Sequence, residues 1–422
     1  MNRLLQSSTL ISASVFLAGF ISYIFQLMLS KFVSPSEYGT YNVLMSFSGL
    51  LGLPITILSI SILKQYSIFY EKNDLNKINK LFYLTLKISL ILILIILILF
   101  LIFDNFFIGL MKLDSKFLYY NFVLMHVIGI FFPFLSFFFQ GIRDYLFFSF
   151  MNVLNSLIRL IIPIIFILFI TLNINYIIFS STLASLISTL ILFYFIKKKS
   201  DFSFLKFSFK LPTQEFKTYY HQLSFKTYAR SALVVVSFTL ILQIDILIIN
   251  YYFESVISSS YALASIISKI IFFISSGVNT LILNEASGKN FFNIKTDKYL
   301  NFALFFTIFF SGLFCIGSYL FGHIVIELIY GEEFILTRDI VRYLPIAFIP
   351  YALIQCYEYY LLSKDKIIFS ILFIFLIPFL IFFLKLYTQD IWSVIIILGL
   401  FGYIYLILGI IINYLANKFL KN

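Results

Sequence analysis

The sequence predicts an all-α integral membrane protein of about twelve transmembrane helices. Three observations predict it. The 422 residues are 61% hydrophobic and only 12% charged, against about 25% charged in a soluble domain, so the chain could not cover a water-facing surface. The apolar runs, such as the one around Lys87–Phe103, reach the roughly twenty residues that cross about 30 Å of hydrocarbon. The basic residues gather in alternate loops, as the positive-inside rule requires. Soluble, disordered, collagen-like and disulfide-scaffold classes are excluded. A β-barrel is excluded as well, because its strands are about ten residues long and alternate apolar with polar. Open strands would leave backbone groups unpaired in lipid.

The elements follow in order. Residues 1–30 begin with Arg3 and an apolar stretch. It is too long for a signal peptide and lacks a small-residue cleavage site, so it reads as a retained first span, 8–30. The others are expected at 40–63, 81–103, 118–139, 149–170, 174–196, 226–250, 260–283, 299–321, 341–362, 367–386 and 392–415. With the N-terminus in the cytoplasm, the inner side collects Arg3, Lys64, Lys72, Lys77, Lys80, Arg143, the Lys197–Lys226 segment, Lys289, Lys295, Lys298, Lys364, Lys366, Lys418 and Lys421. The outer side keeps Lys31, Lys112, Lys116, Arg338, Arg342 and Lys385. That asymmetry places both termini in the cytoplasm. The net charge of +11 is therefore a topology signal, and nucleic acid is not an expected partner.

One long polar interruption follows the sixth span. It divides the chain into an N-terminal six-helix bundle, 1–198, a cytoplasmic linker, 199–222, and a C-terminal six-helix bundle, 223–422. The linker, with Lys197-Lys198-Lys199 and Pro212, is a plain connector or a segment that docks on anionic lipid. The halves are weakly alike. At a shift of 220 residues, Phe32…Tyr41 falls on Tyr252…Tyr261, and Met111–Phe117 on Gly331–Thr337. Six spans per half make the repeats parallel, and two bundles flanking a central cavity are expected.

Signals for an enzyme are thin. The sequence contains no HExxH, no phosphate-binding Gly-rich loop and no zinc spacing. His126, His221 and His323 are scattered, and His126 suits packing better than a proton relay. Cys315 and Cys356 read as small buried apolar residues. The outer loops are short. Their one adjacent acidic pair, Glu332-Glu333, follows Gly331 and reads as a solvated turn. A transporter is expected, not an enzyme, with no metal and no cofactor.

The informative residues are ionisable ones at membrane depth: Arg159, Lys269 and Asp245. A charge there costs about 2.5–3.5 kcal/mol on insertion scales. Arg159 and Lys269 could meet an anionic ligand, form a structural pair or snorkel. Asp245 could bind an ion, or pair with a cation or a Tyr hydroxyl. Gln26, Asn42, Asn152, Asn155, Gln243 and Asn279 could bond sugar hydroxyls or join helices. Pro54, Pro133, Pro163, Pro345, Pro350 and Pro378 fall inside spans, where kinks are expected.

Phe32-Val33-Ser34-Pro35-Ser36-Glu37-Tyr38-Gly39-Thr40-Tyr41 resembles the first-loop motif of bacterial polysaccharide export proteins. These are the O-antigen and teichoic-acid lipid-linked oligosaccharide flippases of the multidrug/oligosaccharidyl-lipid/polysaccharide (MOP) superfamily. Gln140-Gly141-Ile142-Arg143, Gln243-Ile244-Asp245 with Ser260-Tyr261-Ala262, and Leu328-Ile329-Tyr330-Gly331-Glu332-Glu333-Phe334 are similar to later motifs of that family, in its order. Relatives often carry Gly before Tyr in the seventh-to-eighth loop, where this chain has Ser259-Ser260.

The resemblance implies a MATE-like fold in the bacterial inner membrane. It implies translocation of an undecaprenyl-diphosphate-linked oligosaccharide to the outer leaflet by alternating access, with a polysaccharide polymerase and glycosyltransferases as partners. The physics agrees: unpaired hydroxyls and a diphosphate cannot enter hydrocarbon cheaply, and Arg and Lys suit a diphosphate. On this reading Lys269 and Arg159 contact the headgroup, while Arg230 and Lys64 capture it at the cytoplasmic mouth. Asp245 couples transport to protons or sodium. Gln26, Asn42, Gln243 and Asn279 line the polar path. The rivals are a multidrug or cation antiporter of the same superfamily and a membrane-embedded glycosyltransferase or acyltransferase. Two deep cations against one deep carboxylate favour an anionic substrate over a cationic one.

Overall fold

The structure is a computed structural model that describes residues 2–169, 173–199, 225–275, 279, 296–331, 334–363, 367–387 and 390–419. The described residues are helical apart from short turns, with no strand among them. Among the described residues twelve helices are long and apolar enough to cross a membrane, as the composition requires of a multi-pass membrane protein. The fold is therefore all-α, as expected. The expected linker, 199–222, lies outside the described residues but for Lys199, as do Glu332-Glu333, His221, Lys364 and Lys366.

By contacts the chain divides into two compact units: Met1–Leu44 with Leu51–Tyr228, and Met45–Leu50 with Ala229–Asn422. The helices carried mainly by the first unit are α1 (Asn2–Phe32), α2 (Pro35–Leu51), α3 (Leu53–Glu71), α4 (Leu75–Ile102), α5 (Asp104–Met111), α6 (Lys116–Gly129), α7 (Phe131–Gly141), α8 (Tyr145–Phe169) and α9 (Ile174–Lys199). Here α1 packs on α8, α8 and α6 on α9, and α3 on α7. The second unit contains α10 (Phe225–Tyr252), α11 (Ser255–Ser268), α12 (Thr296–Tyr330), α13 (Ile335–Ser363), α14 (Ile368–Leu386) and α15 (Ile391–Phe419). Its hub is α13, which packs on α11, α12, α14 and α15.

Local chemistry explains the ends of these helices. Ser34 and Glu37 form a reciprocal capping box: the Glu37 N–H donates to Ser34 Oγ at 3.3 Å, and the Ser34 N–H donates to Glu37 Oε2 at 3.2 Å. Pro35 takes the first helical position, where a missing N–H costs nothing. Glu37 Oε1 also accepts from the Ile174 N–H at 3.2 Å, so one carboxylate serves the start of both α2 and α9. Asp74 caps α4 through the Lys77 N–H at 3.1 Å. The Lys77 contacts hold its half-buried carboxyl below the usual range. Gly331, with φ +82°, ends α12 in the left-handed conformation that glycine adopts without penalty.

The prolines act in two ways. The second span breaks at Gly52 before Pro54, and the fourth breaks at Ile130 before Pro133, because proline has no N–H for the carbonyl four residues back and its ring crowds that carbonyl. Pro163, Pro345, Pro350 and Pro378 remain inside helices. The tenth span begins at Ile335, earlier than the expected 341, which brings Arg338 and Arg342 into its first turns. Arg338 pairs with Glu327 at 3.2 Å. Hydropathy trims such charged turns from a span, although the backbone still gains from staying helical. The repeat is visible in the helix ends: α1 ends at Phe32 and α10 at Tyr252, while α2 starts at Pro35 and α11 at Ser255, both offsets being 220 residues.

Candidate functional site

In the first unit Arg159 lies near the middle of α8 and is exposed. Packing of α8 on α9 lets its Nη2 donate to Ser185 Oγ at 3.2 Å. Ser185 passes its own proton to Ser181 O at 3.0 Å. The phenol of Tyr41, on α2, lies within electrostatic range of the guanidinium. No carboxylate pairs with Arg159 among the described residues. A guanidinium has five donors, so most remain for a ligand. Asn42 is buried and spends its amide on its own helix, donating to Tyr38 O at 2.9 Å. Gln26 is half-buried, and its Oε1 has no hydrogen-bond partner. His126 is buried against Phe122.

The second unit brings Lys269 and Asp245 together. Lys269 follows the last residue of α11; the helix breaks there, and helical residues resume at 270. Its ammonium donates to Asp245 Oδ1 at 2.8 Å and to Leu242 O at 2.6 Å, both on α10. It also lies 5.5 Å from the centre of the Phe348 ring. Asp245 Oδ2 accepts from Ser265 Oγ at 2.7 Å and from the Tyr261 hydroxyl at 3.2 Å. The Asp245 side chain is 1% exposed and that of Lys269 11%. Each charge is thus the other's counter-ion inside a satisfied cluster. Of the readings left open by sequence, pairing with a cation and a Tyr hydroxyl is the one this geometry displays for Asp245.

A second buried carboxylate, near the end of the tenth span and not singled out from the sequence, lies on α13. Glu358 is 2% exposed. Its Oε1 sits 3.0 Å from Ser237 Oγ of α10 and 3.0 Å from Ser370 Oγ of α14. The available signal was position: Glu358 falls inside the expected span 341–362, masked by Tyr357, Tyr359 and Tyr360. One turn earlier, Gln355 Oε1 accepts from Ser275 Oγ at 2.6 Å. Gln243 is half-buried on α10, and Asn279 is buried. Lys64 and Arg230 are placed by their backbones on α3 and α10, and their side chains lie outside the described ones. No group of three His, Cys, Asp or Glu side chains suited to a metal comes together among the described residues.

No family model and no curated protein matches the chain by sequence. Solved structures do match its fold. An inward-facing multidrug resistance MATE family transporter of the MOP superfamily superposes with a TM-score of 0.72 at 15% identity, over 95% of this chain and 95% of its own. The lipid II flippase MurJ, in an inward closed conformation, gives 0.68 at 18% identity, over 95% of this chain and 87% of its own. An outward-facing MATE family transporter gives 0.66 at 15% identity, over 98% and 96%. The chain thus has the fold shared by MATE transporters and the MurJ flippase.

Proposed function

We propose that this chain is a flippase of the bacterial inner membrane that moves an undecaprenyl-diphosphate-linked oligosaccharide, the repeat unit of an O-antigen or other surface polysaccharide, to the outer leaflet by alternating access. One observation carries the proposal: Arg159 is a cation in the middle of a span, exposed and without a carboxylate partner among the described residues. Such a residue is expensive in a span unless it faces water or an anionic ligand, and its fork of donors matches a diphosphate. The lipid II flippase among the structures of like fold supports a lipid-linked substrate. Lys269 contributes less to headgroup binding than its depth suggests, because Asp245 neutralises it. Lys64 and Arg230 keep the proposed role of capturing substrate at the cytoplasmic mouth.

The alternative, a multidrug or cation antiporter, draws on the MATE structures of like fold. It needs an accessible carboxylate for its cargo. Among the described residues the mid-span carboxylate, Asp245, is buried against Lys269 and Glu358 is buried among hydroxyls, whereas the mid-span cation Arg159 is exposed. Arg159→Ala and Arg159→Lys test the choice in proteoliposomes carrying a fluorescent polyprenyl-diphosphate oligosaccharide. Losing a charge-assisted contact of about 1.5–3 kcal/mol lowers headgroup affinity about ten- to a hundredfold, with partial rescue by Lys. Unchanged translocation in Arg159→Ala at equal protein level would overturn the reading.

A further inference from the structure

Three aromatic side chains meet on the second unit, toward the end that the basic residues assign to the outside. Tyr319 of α12 and Tyr343 of α13 pack edge to face with ring centres 5.9 Å apart, and Tyr343 packs on Trp392 of α15 in the same way at 5.7 Å. All three rings are exposed. One turn deeper on the same three helices stand Ile316, Ile346 and Ile396, which are exposed as well. In a span such residues face acyl chains. The rings therefore form a shelf at the upper edge of an apolar face, at the level where Trp and Tyr gather in membrane proteins.

Just outward of the shelf the chemistry changes. Arg342 precedes Tyr343 and is half-buried. Its nearest carboxylate among the described residues is Asp339, 3.9 Å away, which is too far for a hydrogen bond. Its Nε has no hydrogen-bond partner. The neighbouring charges are better satisfied. Arg338, one turn further out, is held by Glu327 at 3.2 Å. Asp390, at the start of α15, accepts from the Ser393 N–H at 2.6 Å. His323, one turn outward of Tyr319, has an unpartnered Nδ1. It stands where α12 and α13 approach closely: a Cβ on Gly322 would come within 2.8 Å of Val341 Cγ1. From inside outward the order is apolar face, aromatic shelf, guanidinium with donors to spare. A membrane lipid presents the complementary order of chains, glycerol and phosphate. A guanidinium fork suits a phosphate, and one left open suits a phosphate that its own lipid does not cover with an ammonium.

We propose that Tyr319, Tyr343, Trp392 and Arg342 form a binding site for an outer-leaflet lipid whose phosphate carries no ammonium of its own, with its chains over Ile316, Ile346 and Ile396. The site is separate from the transport reading, and its test needs no cargo. Trp392 is the one tryptophan of the chain, so protein fluorescence reports this place alone. The protein is reconstituted in equimolar phosphatidylglycerol and phosphatidylcholine, with bromine on the acyl chains of one lipid and then of the other. Bromine quenches an indole that it touches, so the two quenching levels give the ratio of binding at Trp392. An aromatic belt alone gives a ratio of one. An arginine beside an anionic headgroup should favour phosphatidylglycerol about fivefold. Arg342→Gln should bring the ratio close to one, whereas Lys31→Gln, which removes an exposed cation of the first unit, should leave it unchanged. Arg342→Lys keeps the charge and loses the fork, so it should about halve the ratio; it decides if Arg342→Gln does not fold. Excess inorganic phosphate should leave the ratio in place, because the chains hold the lipid. Four outcomes overturn the proposal: a wild-type ratio of one, an undiminished ratio in the Arg342 variants, an equal loss in Lys31→Gln, or erasure of the preference by inorganic phosphate, which would make the ligand a free anion. A failure here leaves the Arg159 translocation assay untouched.

Discussion

Lys269→Met leaves Asp245 buried with its two hydroxyl donors and no counter-ion. Breaking a buried pair from one side costs about 3–5 kcal/mol, whereas replacing both partners is often close to neutral. Thermal unfolding should therefore show Lys269→Met strongly destabilised and the Asp245→Asn/Lys269→Met double variant restored most of the way. A double variant no better than the single would mean that the two side chains act independently. Depth and residue type were legible in the sequence for Arg159, Lys269 and Asp245, because a charge in an apolar run is conspicuous. Partnership was not. Asp245 and Lys269 are 24 residues apart on neighbouring helices, and nothing in a linear pattern says which faces meet. The two cations that the sequence analysis gave one role differ in their surroundings: Lys269 is paired with Asp245, and Arg159 has no carboxylate partner among the described residues. Glu358 escaped for a related reason. Four residues from the expected end of a span, among tyrosines, it passes for a group at the membrane interface.

At the scale of the element, three of the four motifs that carry the family resemblance turn out to be helix-end and helix-packing devices. Phe32–Tyr41 contains the capping box of α2 and the carboxylate shared with α9. Gln140-Gly141-Ile142-Arg143 ends α7 with Arg143 at φ 59°, and a Cβ on Gly141 would strike the Tyr66 side chain of α3. Tyr330-Gly331 closes α12. Such motifs encode how helices start, stop and approach, so they predict the fold far better than the cargo. Glu37→Ala removes acceptors at two helix starts. A lost N-cap is worth about 0.5–2 kcal/mol, so Tm should fall measurably while Arg159-dependent translocation per folded molecule stays at its wild-type value. Glu37→Gln keeps an acceptor oxygen and should fall less. Span order was readable because apolar length sets it. The breaks at Gly52 and Ile130 were not, since a proline in a span permits either a break or a kink.

On the scale of the whole molecule, the doubled architecture constrains direction. The 220-residue offset of helix ends recurs between the second pair of outer-side turns within one residue: α5 ends at Met111 and α12 at Tyr330, and α6 starts at Lys116 and α13 at Ile335. Twelve spans in two parallel repeats bring the chain back to the side on which it began, and the basic residues assign that side to the cytoplasm. Cys315 and Cys356 are buried, so a membrane-impermeant maleimide reads introduced thiols. Lys31 and Lys72 are exposed and lie at opposite ends of the second span. Lys31→Cys should label in intact spheroplasts, and Lys72→Cys only after lysis. The reverse pattern would invert the molecule, placing Lys64 and Arg230 at the outer surface. A lipid-linked precursor made in the cytoplasm would then meet the wrong mouth, and the capture role assigned to these two residues would have no substrate to act on.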